Sequence, residues 1–419
     1  MSSVELIAIG TELLLGQLLD TNTPFVAARL AEIGLDVRAT HGIGDNRELI
    51  AAAIRDILER RDGVVTTGGL GPTVDDLTKE AVCDALGLDT ATYEPALRSM
   101  EAFFASTGRE MRPNNLKQAE LPGGSFPLEN PNGTAPGFVA FSREGKFVAC
   151  MPGVPREMKP MLEDRLVPFL RERFGARDAI YTRVIHTIGI GESEIDHRID
   201  DLFRTAENPK IAVLAHDARA DVKITVKSSS AREAQAAIAP LQAEIEKRLE
   251  GFVFGVDDAS PESAVAALLQ ARGWMAATAE SCTGGRIAAA LTRLPGSSET
   301  FAGGIVAYDN AVKIERLGID AKILESDGAV SEATALAMAR GARTQIGADV
   351  AIATTGIAGP GGGTPEKPVG LVWFAVDDAA GRSRAWRMQL RGDRSAIQTR
   401  ATVVALGLLW KHLRAYQGS

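Results

Sequence analysis

The sequence predicts an α/β protein made of two layered α/β/α domains joined by a small α+β module. Three observations lead there. Short apolar runs alternate with helix-period segments at both ends of the chain, with short links, the pattern of a mostly parallel sheet covered on two faces. Glycine is abundant, at 42 residues, and many glycines follow directly on apolar runs, where a loop must turn tightly or admit a ligand close to its backbone. The chain has 419 residues, more than one hydrophobic core ordinarily serves, and its middle holds a smaller segment with both period-2 and helical stretches.

The first domain is expected over residues 1–174. It opens with a strand over 4–9, a loop, and a helix over 22–33 capped by Asn22 or Thr23, with Pro24 in its first turn. Gly34 ends that helix, a strand covers 35–40, and Asp45-Asn46 opens a helix over 47–60. Val64–Thr67 is a short strand, and the glycine-rich loop Gly68–Asp76 leads into a helix over 76–86. Strands over 138–141 and 146–150 lie among Gly- and Pro-dense loops, and a helical stretch over 155–174 closes the domain.

The module, 175–253, reads as strand 181–188, helix 191–204, strands near 210–215 and 221–228, and helix 231–249. It is expected to serve as a connector or as a dimerisation module. Residues 251–260 read as a linker. The third domain, 254–419, follows as helix 261–271, strand 274–278, helix 284–294, strand 303–307, and helices 309–317 and 331–346. Strand 349–354, a long loop over 356–368, strands 369–376 and 384–390, and helix 393–414 complete it. The last two strands read as a hairpin, so this sheet is expected to be mixed.

Composition narrows the function classes. Hydrophobic residues make up 45% and charged residues 24%, ordinary for a folded soluble chain. Lys plus Arg number 46 against 54 Asp plus Glu, a formal charge of -8, so no nucleic-acid partner is expected. No stretch offers the roughly 18 apolar residues of a membrane helix, and no basic leader precedes the first strand, so neither a membrane nor export is expected. Cys83, Cys150 and Cys282 are far apart and odd in number, which fits neither a disulfide framework nor a thiolate zinc site and points to a reducing cytoplasm.

Chemistry concentrates at two strand ends. Thr278–Gly285 leaves an apolar strand and opens a helix, where Ser281 meets free backbone N–H groups and the positive end of a helix dipole. Those donors suit the oxyanion formed when a carbonyl is attacked, which makes Ser281 a candidate nucleophile; the plainer reading is a helix-capping hydroxyl. Asp309-Asn310 and then Lys313 follow the next strand, and a desolvated lysine can act as base to a serine. No histidine lies between His216 and His412, so a Ser-His pair is poorly supplied here. Tyr308 orients the lysine or the substrate, or simply packs. Cys282 is a rival nucleophile or a packed thiol. The loop from Thr354, with Thr355, Gly356 and Gly359, can cradle a phosphate or ribose but lacks the Gly-Lys-Ser/Thr end of a P-loop. Arg391 and Arg394 either grip phosphate or form surface ion pairs.

The other strand end carries Thr66–Thr73 followed by Asp75-Asp76. Gly68, Gly69, Gly71 and Thr73 can wrap a phosphate at a strand-to-helix junction. Asp75 and Asp76 repel that anion unless a hard divalent cation such as magnesium or manganese intervenes; otherwise they are solvated helix caps. Asp45 at a neighbouring strand end joins the expected metal set, and Glu12, Asp20, Asn22 and Glu157 are further candidates.

AESCTGG (279–285), AGGIVAYDNAVK (302–313), TTGIAGPGGG (354–363), RGDR (391–394) and the Thr66–Asp76 motif together resemble the CinA (competence/damage-inducible protein) family over nearly the full length. The resemblance implies a C-terminal nicotinamide-nucleotide amidohydrolase domain that hydrolyses nicotinamide mononucleotide to nicotinate mononucleotide and ammonia without a cofactor. Ser281 would be its nucleophile and Lys313 the base. Tyr308 and the backbone of Thr283, Gly284 and Gly285 would assist, while Thr355, Gly356, Gly359 and Arg391 or Arg394 hold the ribose phosphate. The first domain would resemble molybdopterin-binding domains and act as a metal-dependent ADP-ribose pyrophosphatase yielding AMP and ribose 5-phosphate. The alternative is a domain that only binds a pterin or nucleotide and regulates the amidase. A homodimer is expected. The link to DNA transformation in the family's name is the weakest reading, given the acidic charge.

Overall fold

A computed structural model describes residues 3–108, 110–174, 179–205, 208–216 and 218–415; the expected junction at 174/175 lies outside the described residues. The chain divides into two compact units, one holding 1–181 and 227–235, the other 182–226 and 236–419.

The first unit is built on β1 (Ser3–Ile9), β2 (Asp36–Ile43) and β3 (Gly63–Thr67), a small pair β4 (Thr90–Thr92) and β5 (Glu120–Pro122), then β6 (Phe126–Leu128), β7 (Gly137–Phe141) and β8 (Phe147–Met151). The main sheet runs β2-β1-β3-β8-β7-β6. Its first four strands are parallel, and β7 and β6 add antiparallel. Side chains alternate between two cores, as the strand period requires. Val4, Leu6, Val65, Phe147 and Ala149 pack on the helices Asn22–Glu32 and 155–174, while Ile7, Ile9, Val64, Val148 and Cys150 pack on Arg47–Arg60 and Thr78–Leu86. The closing helix is continuous but passes through a π turn at Leu162–Leu166, downstream of Pro160, which lacks the N–H a regular turn needs. The sequence reading misses the helix Glu94–Thr107, whose Pro95 in the first turn and Gly108 at its C-cap were the available signals.

One charged group is buried in this sheet. Glu5 is 1% exposed and accepts from Arg60 (3.0 Å), Arg61 (2.8 Å) and His41 (2.7 Å). The Arg60 hydrogen bond outweighs desolvation and holds its carboxyl at about 2 instead of 4.5. A depressed carboxyl stabilises the fold above its unfolded pKa and loses that contribution as pH falls through the folded value. Glu5→Gln is therefore expected to cost roughly 1–3 kcal/mol at neutral pH, with the gap to wild type closing as pH drops from the ordinary carboxylate range. Urea unfolding at a series of pH values checks this; a gap independent of pH would contradict it.

The second unit holds two sheets. β9 (Ala179–Ile188), β10 (Lys210–His216), β11 (Arg219–Ser228) and β12 (Val253–Val256) form one in the order β10-β11-β9-β12. β12 lies inside the segment expected as a linker: it pairs antiparallel with β9, Val253 opposite Thr187. Ile188 shares a core with Ala405, Leu409 and Trp410 of the last helix, and the Phe254 ring meets Trp410 edge-on at 6.4 Å.

β13 (Ala276–Glu280), β14 (Phe301–Val306), β15 (Val350–Gly356), β16 (Leu371–Asp378) and β17 (Ser383–Gln389) form the other sheet, in the order β14-β13-β15-β16-β17. β14, β13 and β15 are parallel, and β16 and β17 antiparallel, so the sheet is mixed as expected. Its two faces differ in size. Ala277, Ala279, Ala351, Ala353 and Ala375 lie against the helix Glu332–Ile346, whereas Val350, Ile352, Val372 and Phe374 face Pro261–Gln270 and Arg394–Arg414. Small residues let the first helix approach closely, so enlarging one of them overpacks that face.

Candidate active site

Strand β13 is flanked by β14 on one side and β15 on the other, and the chain leaves β13 for β14 before crossing back to β15. The crevice at the carboxyl ends of these parallel strands is a topological switch point, where α/β sheets bind ligands. Ser281 is the first residue beyond β13, level with Val306 and Thr354 through the register of Glu280.

The strand ends two residues later than the sequence suggests, and the helix begins at Arg286 rather than 284. Between them Ser281–Gly285 forms a turn, with Gly284 (φ +61°) and Gly285 (φ +92°) in the left-handed region that glycine tolerates. Ser281 N–H donates to Thr354 O at 3.0 Å, and the Thr283 and Thr354 hydroxyls lie 2.8 Å apart. Ser281 does not cap the helix. That role falls to the Glu280 carboxylate, which accepts from the N–H groups of Gly285 (3.0 Å), Ile287 (3.1 Å) and Ala288 (2.8 Å). Gly284 N–H donates to Ser281 O at 3.2 Å, and the N–H groups of Cys282 and Thr283 are without an acceptor among the described residues. The expected assistance from the Gly284 and Gly285 amides is thus already engaged within the protein. Nothing in the sequence reading singled out Glu280.

Lys313 is 2% exposed, on the first turn of the helix Asn310–Leu317, and its Nζ donates to Tyr308 O at 3.1 Å. Burial pushes its ammonium below the ordinary lysine range, opposed by the charge of Asp309 and by Cys282. No hydrogen bond joins Lys313 Nζ to Ser281 Oγ among the described residues; Nζ is turned to the Tyr308 carbonyl. Tyr308 is 60% exposed and its hydroxyl accepts from Arg394 Nη2 at 2.8 Å, while Arg394 Nη1 donates to Gly359 O at 2.8 Å. Arg394 therefore ties the loops after β14 and β15 to the start of the last helix, which Asp393 caps on Ala396 N–H at 2.8 Å.

Other expected contributors have different duties. Thr355 is buried and donates its hydroxyl to Ala329 O at 2.5 Å. Gly356 lies in β15, where a side chain would strike the β16 backbone at Leu371 O, 2.6 Å away. Arg391 is exposed, and its carbonyl accepts from Arg400. Cys282 is 4% exposed and burial pushes its thiol up to about 12, which favours the packed-thiol reading over the nucleophile.

In the first unit, Asp45, Asp75 and Asp76 line one cavity of about 640 Å³ together with the Gly68–Thr73 loop. Glu12, Asp20, Asn22 and Glu157 line it too. Gly69 has φ +67° and is crowded by the buried Thr78, so packing and backbone alone already favour glycine there, whereas a side chain at Gly71 would displace the Asp76 carboxylate. Asp45 Oδ2 accepts from the Thr11 N–H and hydroxyl, both at 2.8 Å, and Asp76 Oδ2 takes the Thr73 N–H at 2.9 Å and its hydroxyl at 2.5 Å. The Thr73 hydroxyl also holds the Asp75 carboxyl below its ordinary range. Among the described residues no three His, Cys, Asp or Glu side chains gather as a cation site requires. As they stand, the three aspartates do not form a common ligand set. Across the described residues no helix is long and apolar enough to cross a membrane.

Comparison with known proteins adds three family matches: a molybdopterin binding domain over residues 5–172, the damage-inducible protein CinA KH domain over 182–255 and the CinA C-terminal domain over 258–413. The sequence reading did not identify the KH module. A Moorella thermoacetica relative described as a competence-damage inducible protein is 43% identical over 98% of this chain and 99% of its own. A CinA-like protein of Kosmotoga olearia is 38% identical over 98% of each. A crystal structure of a CinA superfamily protein from Klebsiella pneumoniae aligns with 37% of this chain and 97% of its own, at 39% identity and a TM-score of 0.36.

Proposed function

We propose that this chain, which belongs to the CinA family, is a two-site hydrolase whose C-terminal domain deamidates nicotinamide mononucleotide. The observation that carries the proposal is a buried lysine, Lys313, disfavoured in its charged form, on the helix that follows β14, the neighbour of the strand that ends before Ser281. In this reading the Ser281 Oγ attacks the carboxamide carbon and its proton passes to Lys313. The Thr283 N–H faces the oxyanion, and Arg394 with Tyr308 offers a cationic rim for the phosphate. Collapse of the adduct expels ammonia with the proton returned by Lys313, and water then cleaves the acyl-serine to release nicotinate mononucleotide. The pair need not be in contact in the free enzyme, because such hydrogen bonds often tighten only when substrate is bound.

The first domain, by the same proposal, cleaves ADP-ribose to AMP and ribose 5-phosphate. A glycine loop and three aspartates on one cavity support it. A diphosphate there meets like charge, so the proposal includes a divalent cation such as Mg²⁺ or Mn²⁺ arriving with substrate. A cytoplasmic homodimer acting on these two small molecules completes the reading.

Purified chain given each substrate separately is expected to form nicotinate mononucleotide with ammonia, and AMP with ribose 5-phosphate. AMP without ammonia would remove the amidase reading, and ammonia without AMP would favour a first domain that only binds its ligand. A pH profile tests the base. Amidase kcat/KM should rise with pH as Lys313 loses its proton, along a limb below the ordinary lysine range. Asp309→Asn keeps the helix cap on Ala311 N–H (2.8 Å) but removes the charge that supports the ammonium, so the limb should move to lower pH. An unmoved or upward-shifted limb would detach Lys313 from the base role.

A further inference from the structure

We infer that Glu280 is the positioning residue of the Ser281 turn, acting through the backbone amides of the following helix rather than on substrate; this rests on the reading of Ser281 as nucleophile. Glu280 is 0% exposed at the end of β13, an interior strand, and no Arg, Lys or His pairs with it among the described residues. A buried carboxylate without a cation needs other donors. Here all three are backbone N–H groups, those of Gly285, Ile287 and Ala288, at 2.8–3.1 Å.

These contacts bracket the reacting segment. Glu280 is anchored in β13 between β14 and β15, and the amides it holds open the helix Arg286–Thr292. The turn between them contains two left-handed glycines, which resist bending little by themselves. Its span is therefore set from outside by the carboxylate clamp, together with the bond from Ser281 N–H to Thr354 O. The same clamp occupies the amides that would otherwise draw the substrate phosphate to the start of this helix. The N–H groups of Cys282 and Thr283 are left open beside Ser281 among the described residues. A phosphate is accordingly left to Arg394, which is held between Gly359 O and the Tyr308 hydroxyl.

Two substitutions in the full chain test this. Glu280→Gln keeps the shape but turns an amide NH₂ toward backbone donors. Its kcat for nicotinamide mononucleotide should fall about 100-fold with KM within about threefold, because small displacements of a reacting group cost rate before binding. Ala288→Pro removes the donor at 2.8 Å in the first helical turn, where proline is tolerated, and leaves the charge of Glu280 in place. It should lower kcat about tenfold, again without moving KM. Ala288→Pro decides the matter should Glu280→Gln fail to fold. Wild-type kcat in the folded variants overturns the proposal, and so does a rise in KM at constant kcat, which would mean direct substrate contact. Ammonia release retained by Ser281→Ala would instead sink the nucleophile reading itself, whereas a dead Ser281→Ala beside a fully active Glu280→Gln removes only this inference.

Discussion

Ser281→Ala is expected to lower ammonia release from nicotinamide mononucleotide about 10⁴-fold or more, the scale on which losing a covalent nucleophile acts. Cleavage of ADP-ribose by the same preparation should be unchanged, because Asp75, Asp76 and the Gly68–Thr73 loop belong to the other compact unit. The fold should not suffer. The Ser281 hydroxyl makes no hydrogen bond among the described residues, and its backbone contacts, N–H to Thr354 O and O from Gly284 N–H, survive the substitution. A coupled ammonia assay beside an AMP assay, with thermal unfolding on both proteins, separates the outcomes. Ammonia release within tenfold of wild type, from protein of unchanged stability, would mean that the helix-opening turn is only structural.

Much of this site was legible because its residues sit in short local patterns. Ser281, Lys313 and Arg394 each follow a strand or open a helix, and the strand ends that carry the first two lie side by side in the sheet. What escaped was tertiary. Glu280 looks like a polar residue just past an apolar run, and reading the strand two residues too early hides that it is buried. Only the fold brings the Ile287 and Ala288 amides to it. Thr355 and Gly356 fit a ligand-holding loop in the sequence, yet the Ala329 carbonyl and the β16 backbone claim them. The three aspartates of the first domain could be grouped at strand ends, but their hydrogen bonds to Thr11 and Thr73 depend on loop geometry that residue spacing does not encode. β12 was lost for another reason: four residues beside Gly251 and Asp257 are too short for a period to declare itself.

Lys313 offers the sharpest discrimination between catalysis and packing, because its two roles predict opposite changes. Lys313→Met should lower amidase kcat/KM about 10²–10⁴-fold, the usual contribution of a general base. Lys313→Arg should be equally inactive, since a guanidinium does not release its proton at working pH. For stability the sign reverses. Burial depresses the lysine below its unfolded value, so between the two values the unfolded state binds more protons and wild-type stability rises with pH. Methionine fills the same 2%-exposed space without a charge to desolvate. The variant forgoes the bond to Tyr308 O, worth about 1 kcal/mol. Measured against wild type, its relative stability should be highest at neutral pH and decline as pH climbs toward the ordinary lysine range. Urea unfolding at several pH values reads this directly. A Lys313→Met protein that loses activity and follows that trend has lost a base from a fold that tolerates its removal. One that loses stability at every pH, in proportion to activity, would return Lys313 to the core and leave Ser281 without its proton acceptor.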